Sequence, residues 1–286
     1  MAATVRLNSS PAGEARVDQL RRQLRVLERA TGLADECGAP VALGIPAIDG
    51  ALDGGLGGGT LHEIAAAREA EVSAASGFAL ALAARAASAR DTAALGASCD
   101  ASHDDRTVSG RTVLWIAEDL ALAENGASYG PGLDAIGIAP ERLITVAAPC
   151  VRDVLWAMEE ALRCRAVGMV IGEMRPRGID HVATRRLALA AAAGNAVGLL
   201  LYTTPDDAPS AAATRWIIGA APSLDAARGH GIGPPRLVAH LVRNRRGPLG
   251  TWIVEWNSVE QRFELATHSE PVAGAAFDRP HRTAVA

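Results

Sequence analysis

Short, continuous apolar runs alternate with longer apolar-rich segments through the middle of the chain. The runs that predict buried strands span residues 60–65, 112–117, 143–147, 168–171 and 197–202. The segments that predict helices between them span residues 76–90, 152–165 and 181–193. Strands that lack polar alternation and are separated by helices are typical of a parallel sheet that is buried on both faces.

The pattern changes in the last third of the chain. Three further strands, at residues 216–218, 236–244 and 252–256, follow one another without helical segments between them. Consecutive strands joined by short connections usually pair antiparallel. The predicted fold class is therefore α/β, with a mostly parallel twisted sheet, helices on both faces and antiparallel C-terminal strands.

These elements predict one domain over residues 40–265, with flanking segments and one insertion. The insertion, residues 91–111, is polar, has no apolar period and is expected to be flexible. Residues 1–14 and 266–286 are predicted to be disordered tails. Residues 15–32 predict an amphipathic helix, which either covers part of the core or docks on another subunit or protein. Its apolar stripe consists of Val17, Leu20, Leu24 and Leu27.

Composition narrows the function classes only slightly. The net charge of −4 argues against a protein that binds nucleic acid through overall positive charge. The 4 cysteines contain no Cys-x-x-Cys pair, which favours reduced thiols over disulfides or a metal site. The chain shows no apolar run of about 20 residues and no signal-peptide pattern, so we expect a cytoplasmic protein without membrane contact.

A glycine-rich stretch at residues 53–59 precedes the first strand, and this layout is typical of the start of a nucleotide-binding fold. A phosphate-binding loop needs Gly-x-x-x-x-Gly-Lys-Ser/Thr before the helix. Gly77 stands for the last glycine, but Phe78 takes the lysine position, and all 28 basic residues of the chain are arginine. We therefore expect a vestigial cleft into which Phe78 presents its ring, with no ATP hydrolysis and no bound cofactor. The residues leave weak nucleotide binding open.

The order of several motifs resembles a RecA core. They are Leu-Trp-Ile-Ala-Glu at 114–118, Leu-Trp-Ala-Met-Glu-Glu-Ala-Leu-Arg at 155–163, Val-Gly-Met-Val-Ile-Gly-Glu at 167–173 and His-Leu-Val-Arg-Asn-Arg-Arg-Gly at 240–247. Thr-Arg-Arg-Leu-Ala-Leu-Ala-Ala-Ala from residue 184, Thr-Arg-Trp at 214–216 and Gly-Thr-Trp-Ile-Val-Glu-Trp at 250–256 are more narrowly similar to the ImuA family. ImuA proteins are RecA-like accessory proteins of bacterial induced-mutagenesis operons.

The resemblance implies a non-catalytic adaptor in damage-induced translesion DNA synthesis, within the SOS response. It implies three partners: an ImuB-like, polymerase-related protein, RecA, and indirectly an error-prone replicative-type polymerase. Two other functions stay open at this point. One is a divergent DNA-dependent ATPase or recombinase in which arginine replaces the missing lysine, and the other is a cell-division inhibitor of the SulA type.

The resemblance also implies roles for single positions. Glu118 stands where a RecA-like ATPase keeps the carboxylate that activates water, and Glu173 stands at the Walker B acid. Without the lysine and the hydroxyl of the loop, we interpret both as remnants or as polar residues at strand ends.

DNA contact is a further expectation, because RecA-like proteins present single-stranded DNA to the loops after two central strands. Seven arginines near such loops and turns are candidate phosphate contacts, the alternative being a solvated or salt-bridged surface. They are Arg175, Arg177, Arg185 and Arg186, and, at a later strand end, Arg243, Arg245 and Arg246. The second loop, residues 203–213, is acidic and has no aromatic residue on which a base could stack, so direct DNA binding is expected to be weak.

Overall fold

The structure, a computed structural model, describes residues 40–97, 112–175, 179–223 and 233–266. Its α-helices are α1 (Pro46–Ala51), α2 (Val72–Ala97), α3 (Asp119–Asn125), α4 (Gly130–Ile136), α5 (Val151–Arg163) and α6 (His181–Gly194). Its strands are β1 (Leu61–Ala66), β2 (Thr112–Glu118), β3 (Leu143–Ala148), β4 (Val167–Met174), β5 (Val197–Tyr202), β6 (Thr214–Ala221), β7 (Arg236–Asn244), β8 (Gly250–Asn257) and β9 (Arg262–Leu265). Two short 3-10 helices, Glu69–Glu71 and Pro140–Arg142, precede α2 and β3.

All strands belong to one 9-stranded sheet in the order β3-β2-β4-β5-β1-β6-β7-β8-β9. The first five strands of this order are parallel to one another and form what we term the parallel half. Strand β6 is parallel to β1, and β6, β7, β8 and β9 then pair antiparallel to form the antiparallel half. The predicted α/β class, with its antiparallel C-terminal strands, is confirmed.

The parallel half is covered by helices on both faces. Helix α2 packs on one face, where Ile64 and Ile171 are fully buried. Helices α5 and α6 pack on the other face, where they bury Met158 and Leu187 against residues such as Leu200. Every residue of β1, β4 and β5 is buried as a result, which explains why these strands appear in the sequence as continuous apolar runs.

The antiparallel half is covered mainly on the α2 side. There Phe78 of α2 packs against Trp216 and Phe263, with ring centroids 5.7 and 5.2 Å apart. Side chains on the other side are exposed or half-exposed, and we term this surface the open face. Its residues include Arg215, Ile217, Val238, His240, Arg243, Thr251 and Ile253. One solvated face and one buried face are usual for antiparallel strands.

Element boundaries differ from the predicted ones mainly around α2. The helix begins at Val72 rather than at residue 76 and continues to Ala97, so that residues 91–97 of the predicted insertion are helical. The short helices α3 and α4 and the strand β9 were not predicted. The remainder of the insertion, the predicted tails and the predicted amphipathic helix at 15–32 lie outside the described residues. Within the described ranges, no helix has both the length and the apolar character needed to cross a membrane.

Candidate functional site

The connection from β1 to α2 lies at the carboxyl ends of the parallel strands, where open α/β sheets bind their ligands. The Ala67 N–H donates a 2.8 Å hydrogen bond to the Ile218 carbonyl, so the backbone first extends its pairing with β6. The 3-10 helix Glu69–Glu71 and then α2 follow at once. The chain therefore passes from strand into helix through a short connection.

Gly77 and Phe78, the predicted markers of a vestigial phosphate loop, lie inside α2. An N–H group at this depth in a helix donates to the carbonyl four residues earlier and is not available to a phosphate. Phe78 is fully buried between α2 and the antiparallel half. Our expectation that its ring stands in the nucleotide cleft is therefore wrong, because the helix begins at Val72 and turns this side chain into the core.

The start of α2 carries carboxylates at the place where a phosphate would lie in a nucleotide-binding fold. Glu69 and Glu71 form the 3-10 turn that leads into the helix. Arg68 donates a 2.6 Å hydrogen bond to Glu71, and this bond holds the pKa of the Glu71 carboxyl below its usual range. Anionic side chains already complement the positive end of the helix dipole, so a phosphate at this point would meet like charge.

Glu173, the predicted Walker B position, is buried near the end of β4. Its two carboxylate oxygens accept hydrogen bonds from the Trp115 indole N–H at 2.9 Å and from the Asn125 amide at 2.7 Å. The carboxylate thus connects β4 to β2 and α3. Both of its oxygens have protein donors in this arrangement, as a buried charge requires.

Glu118 and Arg175 lie beside Glu173 at the same edge of the sheet. The Glu118 carboxylate accepts a 3.2 Å hydrogen bond from the backbone N–H of Arg175. The Arg175 guanidinium in turn pairs with Glu124 and lies 3.6 Å from a Glu69 oxygen. Arg175, a predicted phosphate contact, is therefore engaged by carboxylates, and Arg177 lies outside the described residues.

Arg185 and Arg186 lie on α6, away from this edge. Arg185 is exposed, whereas Arg186 pairs with Glu159 of α5. Glu159 also forms a 2.5 Å ion pair with Arg163, and the Glu159 side chain is buried. The structure therefore does not bring Arg175, Arg185 and Arg186 together into one cluster.

The groove between α5 and α6 has a volume of about 380 Å³ and is lined by Arg152, Leu155, Trp156, Arg186 and Leu187. Trp156 is 64% exposed at its rim, and Val182 and Leu189 on α6 are each 63% exposed. Large apolar side chains at such exposure on neighbouring helices are typical of protein interaction sites. Sequence reasoning did not single out this surface.

A second polar cluster lies where the two halves of the sheet meet. Glu63 of β1 is buried and pairs with Arg215 of β6 at 2.6 Å. Arg215 also donates to the Ala208 carbonyl at 2.8 Å, and Arg245 donates to the Ser210 carbonyl at 2.9 Å. The loop that the sequence indicated as acidic is therefore held by arginine side chains.

Arg243 stands directly opposite Arg215 on the neighbouring strand β7. Burial, followed by the nearby charges of Arg245 and Arg215, lowers the pKa of the Arg243 guanidinium. Arg246 follows at the exposed turn after β7. The predicted cluster of Arg243, Arg245 and Arg246 thus lies at the end of β7. Arg215 and Glu63 belong to the same cluster, and the sequence analysis identified neither.

His62 is buried at the same junction between β1 and β6. Its ring nitrogens lie 2.6 Å from the Thr60 hydroxyl and 2.8 Å from the Thr214 hydroxyl. Burial lowers the pKa of His62 to about 4, so the ring is neutral at neutral pH. In the part of the chain that the structure describes, no group of three or more His, Cys, Asp or Glu residues could hold a metal ion.

The sheet order and the placement of the helices define an α/β protein with a mixed, mostly parallel sheet. Its sequence is similar to Protein ImuA of Caulobacter vibrioides, in strain NA1000 / CB15N and in strain ATCC 19089 / CIP 103742 / CB 15 alike. Identity to each is 32% over 156 residues, which cover 51% of this chain and 61% of the relative. The similarity to ImuA that the motifs indicated is thus confirmed over these 156 residues.

The match spans less than two thirds of the length of these curated relatives, at 61%. No protein-family model matches the chain. Among solved structures, a crystal structure of the RadB recombinase aligns over 79% of this chain and 100% of that chain, with 15% identity and a TM-score of 0.49.

Proposed function

We propose that this protein is a non-catalytic, RecA-like adaptor in damage-induced translesion DNA synthesis. It acts through contacts with an ImuB-like protein and with RecA, and through them with an error-prone polymerase. The similarity to ImuA supports the process in which we place the chain.

The observation that carries the non-catalytic part of the proposal is the start of α2. Catalysis of phosphoryl transfer depends on positioned backbone N–H groups, a cation and a metal-binding hydroxyl around the phosphates. Here the helix begins directly after Glu69–Glu71, and the chain contains no lysine. The nearest described arginines, Arg68 and Arg175, are paired with carboxylates. This arrangement favours a protein whose nucleotide-binding edge has become structural.

The groove between α5 and α6 supports the adaptor part of the proposal. Tryptophan is enriched among the residues that dominate binding energy at protein interfaces. Trp156 offers such an anchor beside a cavity of about 380 Å³, and Val182 and Leu189 extend the apolar surface. Charged side chains surround it: Arg185 is exposed, and Arg152 pairs with Asp153 at 3.5 Å. We place the contact with the ImuB-like protein on this surface.

A binding experiment with purified proteins tests the proposal. The full chain is expected to form a complex with an ImuB-like protein of the same organism, and Trp156→Ala is expected to weaken this complex about 10-fold or more. Val259→Ala, at a residue that is 91% exposed in the turn before β9, is the matched control and should bind as the unchanged chain does.

Two outcomes would contradict the proposal at different levels. Equal affinity of Trp156→Ala and the unchanged chain would place the contact elsewhere and exclude the groove as the binding surface. Failure of the unchanged chain to bind either the ImuB-like protein or RecA would contradict the adaptor function itself.

A further inference from the structure

An apolar cavity of about 410 Å³ lies between α2 and the antiparallel half of the sheet. Its walls include, from α2, α4, β8 and β9, the residues Ala74, Gly77, Ala81, Ile136, Trp256 and Phe263. Pro235, just before β7, also lines the cavity and is exposed, so the cavity opens at the surface. Concave and mostly apolar surfaces of this size are typical of binding sites.

Two buried polar groups in the wall of this cavity have no hydrogen-bond partner among the described residues. They are the Trp256 indole N–H and the Ser223 hydroxyl, and Trp256 as a whole is only 7% exposed. Most buried polar groups in native proteins are hydrogen-bonded, and a buried group without a partner costs free energy. A segment that covers the cavity and brings a hydrogen-bond acceptor would remove this cost.

The described chain begins beside the cavity. The Leu43 carbonyl accepts a 3.2 Å hydrogen bond from the N–H of Phe263, which lines the cavity. Arg85, one helical turn after Ala81 on α2, donates a 2.9 Å hydrogen bond to the Ala42 carbonyl. The N-terminal segment therefore joins the described chain on the face of the sheet that carries the cavity.

We propose that residues 15–32 dock into this cavity as an amphipathic helix of the same chain. The predicted apolar stripe recurs at helical spacing over about three turns and consists of Val17, Leu20, Leu24 and Leu27. Residues 33–39 connect the helix to the described chain, and a connection of this length spans about 24 Å when fully extended. Because the chain enters beside Phe263, this reach brings the stripe to the cavity.

The flanks of the predicted stripe fit the cavity and its surroundings. Gln23 borders the stripe, so its carboxamide oxygen lies at the edge of the contact and accepts a hydrogen bond from Trp256 or Ser223. Arg22 and Arg29 lie opposite the stripe and stay in solvent. The docked helix thus removes apolar side chains from water and leaves its charges hydrated.

This inference goes beyond the adaptor function, because it requires no second protein. It selects one of the two roles that the sequence left open for the helix, that of covering part of the core. The groove beside Trp156 lies on the other face of the sheet, so the docked helix leaves that groove free. Trp156→Ala should therefore leave the docking unchanged, and the docking and the adaptor function can fail independently.

Hydrogen exchange of the full chain, measured by mass spectrometry, tests the docking. The amides of residues 17–29 should exchange about 10-fold or more slowly than those of an unstructured chain. Gly77→Leu should abolish this protection, because a Cβ atom at Gly77 has no neighbour within 4 Å and the branched side chain extends into the cavity. The double variant Leu20→Ser and Leu24→Ser should abolish it as well, because it removes the centre of the stripe.

Two matched controls separate the docking from other effects of the substitutions. Gly77→Ala adds only a methyl group at the same position and should retain most of the protection. The double variant Arg22→Ser and Arg29→Ser changes the polar side of the helix and should also retain it. An isolated helix of this length is marginal in water, so protection that Gly77→Leu removes and the controls keep comes from contact with the cavity.

Three results would overturn the inference. The first is unprotected exchange of residues 17–29 in the unchanged chain, or equal protection in Gly77→Leu. The second is protection that increases with protein concentration, which would place the helix on a second copy of the chain. The third is a loss of protection in Gly77→Leu that falls on residues 224–232 instead, which would assign the cavity to the connection between β6 and β7.

Discussion

The partners of the charged residues differ between the parallel half of the sheet and its junction with the antiparallel half. In the parallel half, Glu173 has hydrogen-bond donors on both carboxylate oxygens, and Arg175 is held by carboxylates. In the antiparallel half, Arg215 and Arg243 stand directly opposite each other. Among the described residues, Glu63 is the carboxylate that forms an ion pair with Arg215. The edge around Glu173 is therefore internally satisfied, whereas Arg243 forms no ion pair with a described residue, although Arg236 and Glu255 pair on the same open face.

This difference separates structural from functional polar residues. Buried polar groups with complete hydrogen bonding stabilise the fold and need no ligand. On this basis Glu173 and Glu118 stabilise the parallel half through hydrogen bonds with other protein groups.

The largest expected effect tests how closely the parallel half is packed. A Cβ atom on Gly194 would lie 1.9 Å from the Leu162 carbonyl oxygen, which is backbone of α5 and cannot move aside. Gly194→Ala should therefore lower the free energy of unfolding by about 3 kcal/mol. Ile253→Ala, on the open face, should lower it by only about 0.5 kcal/mol. Urea unfolding of both variants checks the contrast, and equal decreases would show that the two halves are packed alike.

The second effect tests the junction between the halves. The pKa of His62 is about 4 in the folded protein against an ordinary value of 6.5, because of burial. Between these pH values the unfolded chain binds the proton and the folded chain does not. The free energy of unfolding should therefore fall by about 3 kcal/mol as the pH decreases from 6.5 to 4.

Replacement of the ring identifies His62 as the source of this pH dependence. Measurements of urea unfolding across the same pH range should show a smaller decrease for His62→Gln than for the unchanged chain. If the free energy of unfolding falls equally in both chains, other groups carry the effect and the ring is protonated in the folded state.

The third effect compares a satisfied charge with an unsatisfied one. Glu173→Gln places an amide NH₂ opposite one of its two donors, so it should cost about 2 kcal/mol of stability. Arg243→Gln should cost nothing, since it removes a repelled charge. Chemical unfolding of the two variants shows directly whether each substitution raises or lowers the free energy of unfolding. A stabilising Glu173→Gln would mean that this carboxylate is strained, as an active catalytic acid often is.

The smallest expected effect concerns Gly77, which the sequence analysis assigned to a vestigial phosphate-binding loop. A Cβ atom on Gly77 would have no neighbour within 4 Å. Because the residue lies inside α2, Gly77→Ala should raise the free energy of unfolding by about 0.5–1 kcal/mol. A destabilised variant would indicate that the segment around Gly77 is a loop with special backbone angles rather than a helix.

Sequence patterns predicted most of the sheet, because continuous apolar runs directly express burial on both faces. Strands at 197–202 and 236–244 appear in the structure with the predicted bounds. Helix α4 was missed because glycine and proline at residues 130–132 mark a loop as readily as a helix start. The start of α2 was missed because the comparison with a phosphate-binding loop made residues 72–75 a connection, although valine, serine and alanine permit a helix.

The site was less predictable, because it depends on register. The seven candidate arginines were chosen because they lie in or near loops and turns, but Arg215 lies within an otherwise apolar strand. A charged residue in such a strand, with Glu63 in another, was a signal that the two would pair. The bulge at Val242, which turns Arg243 toward them, leaves no recognisable mark in the sequence.

The central claim of the proposed function is that the edge of the sheet around Glu173 is structural and binds no nucleotide, and titration of the full chain with Mg-ATP tests it most directly. Calorimetry and phosphate release, with and without single-stranded DNA, should detect neither saturable binding at millimolar ATP nor turnover above a protein-free control. Saturable binding with turnover that Glu173→Gln abolishes would contradict the account, because it would require phosphates and magnesium beside the carboxylates at the start of α2.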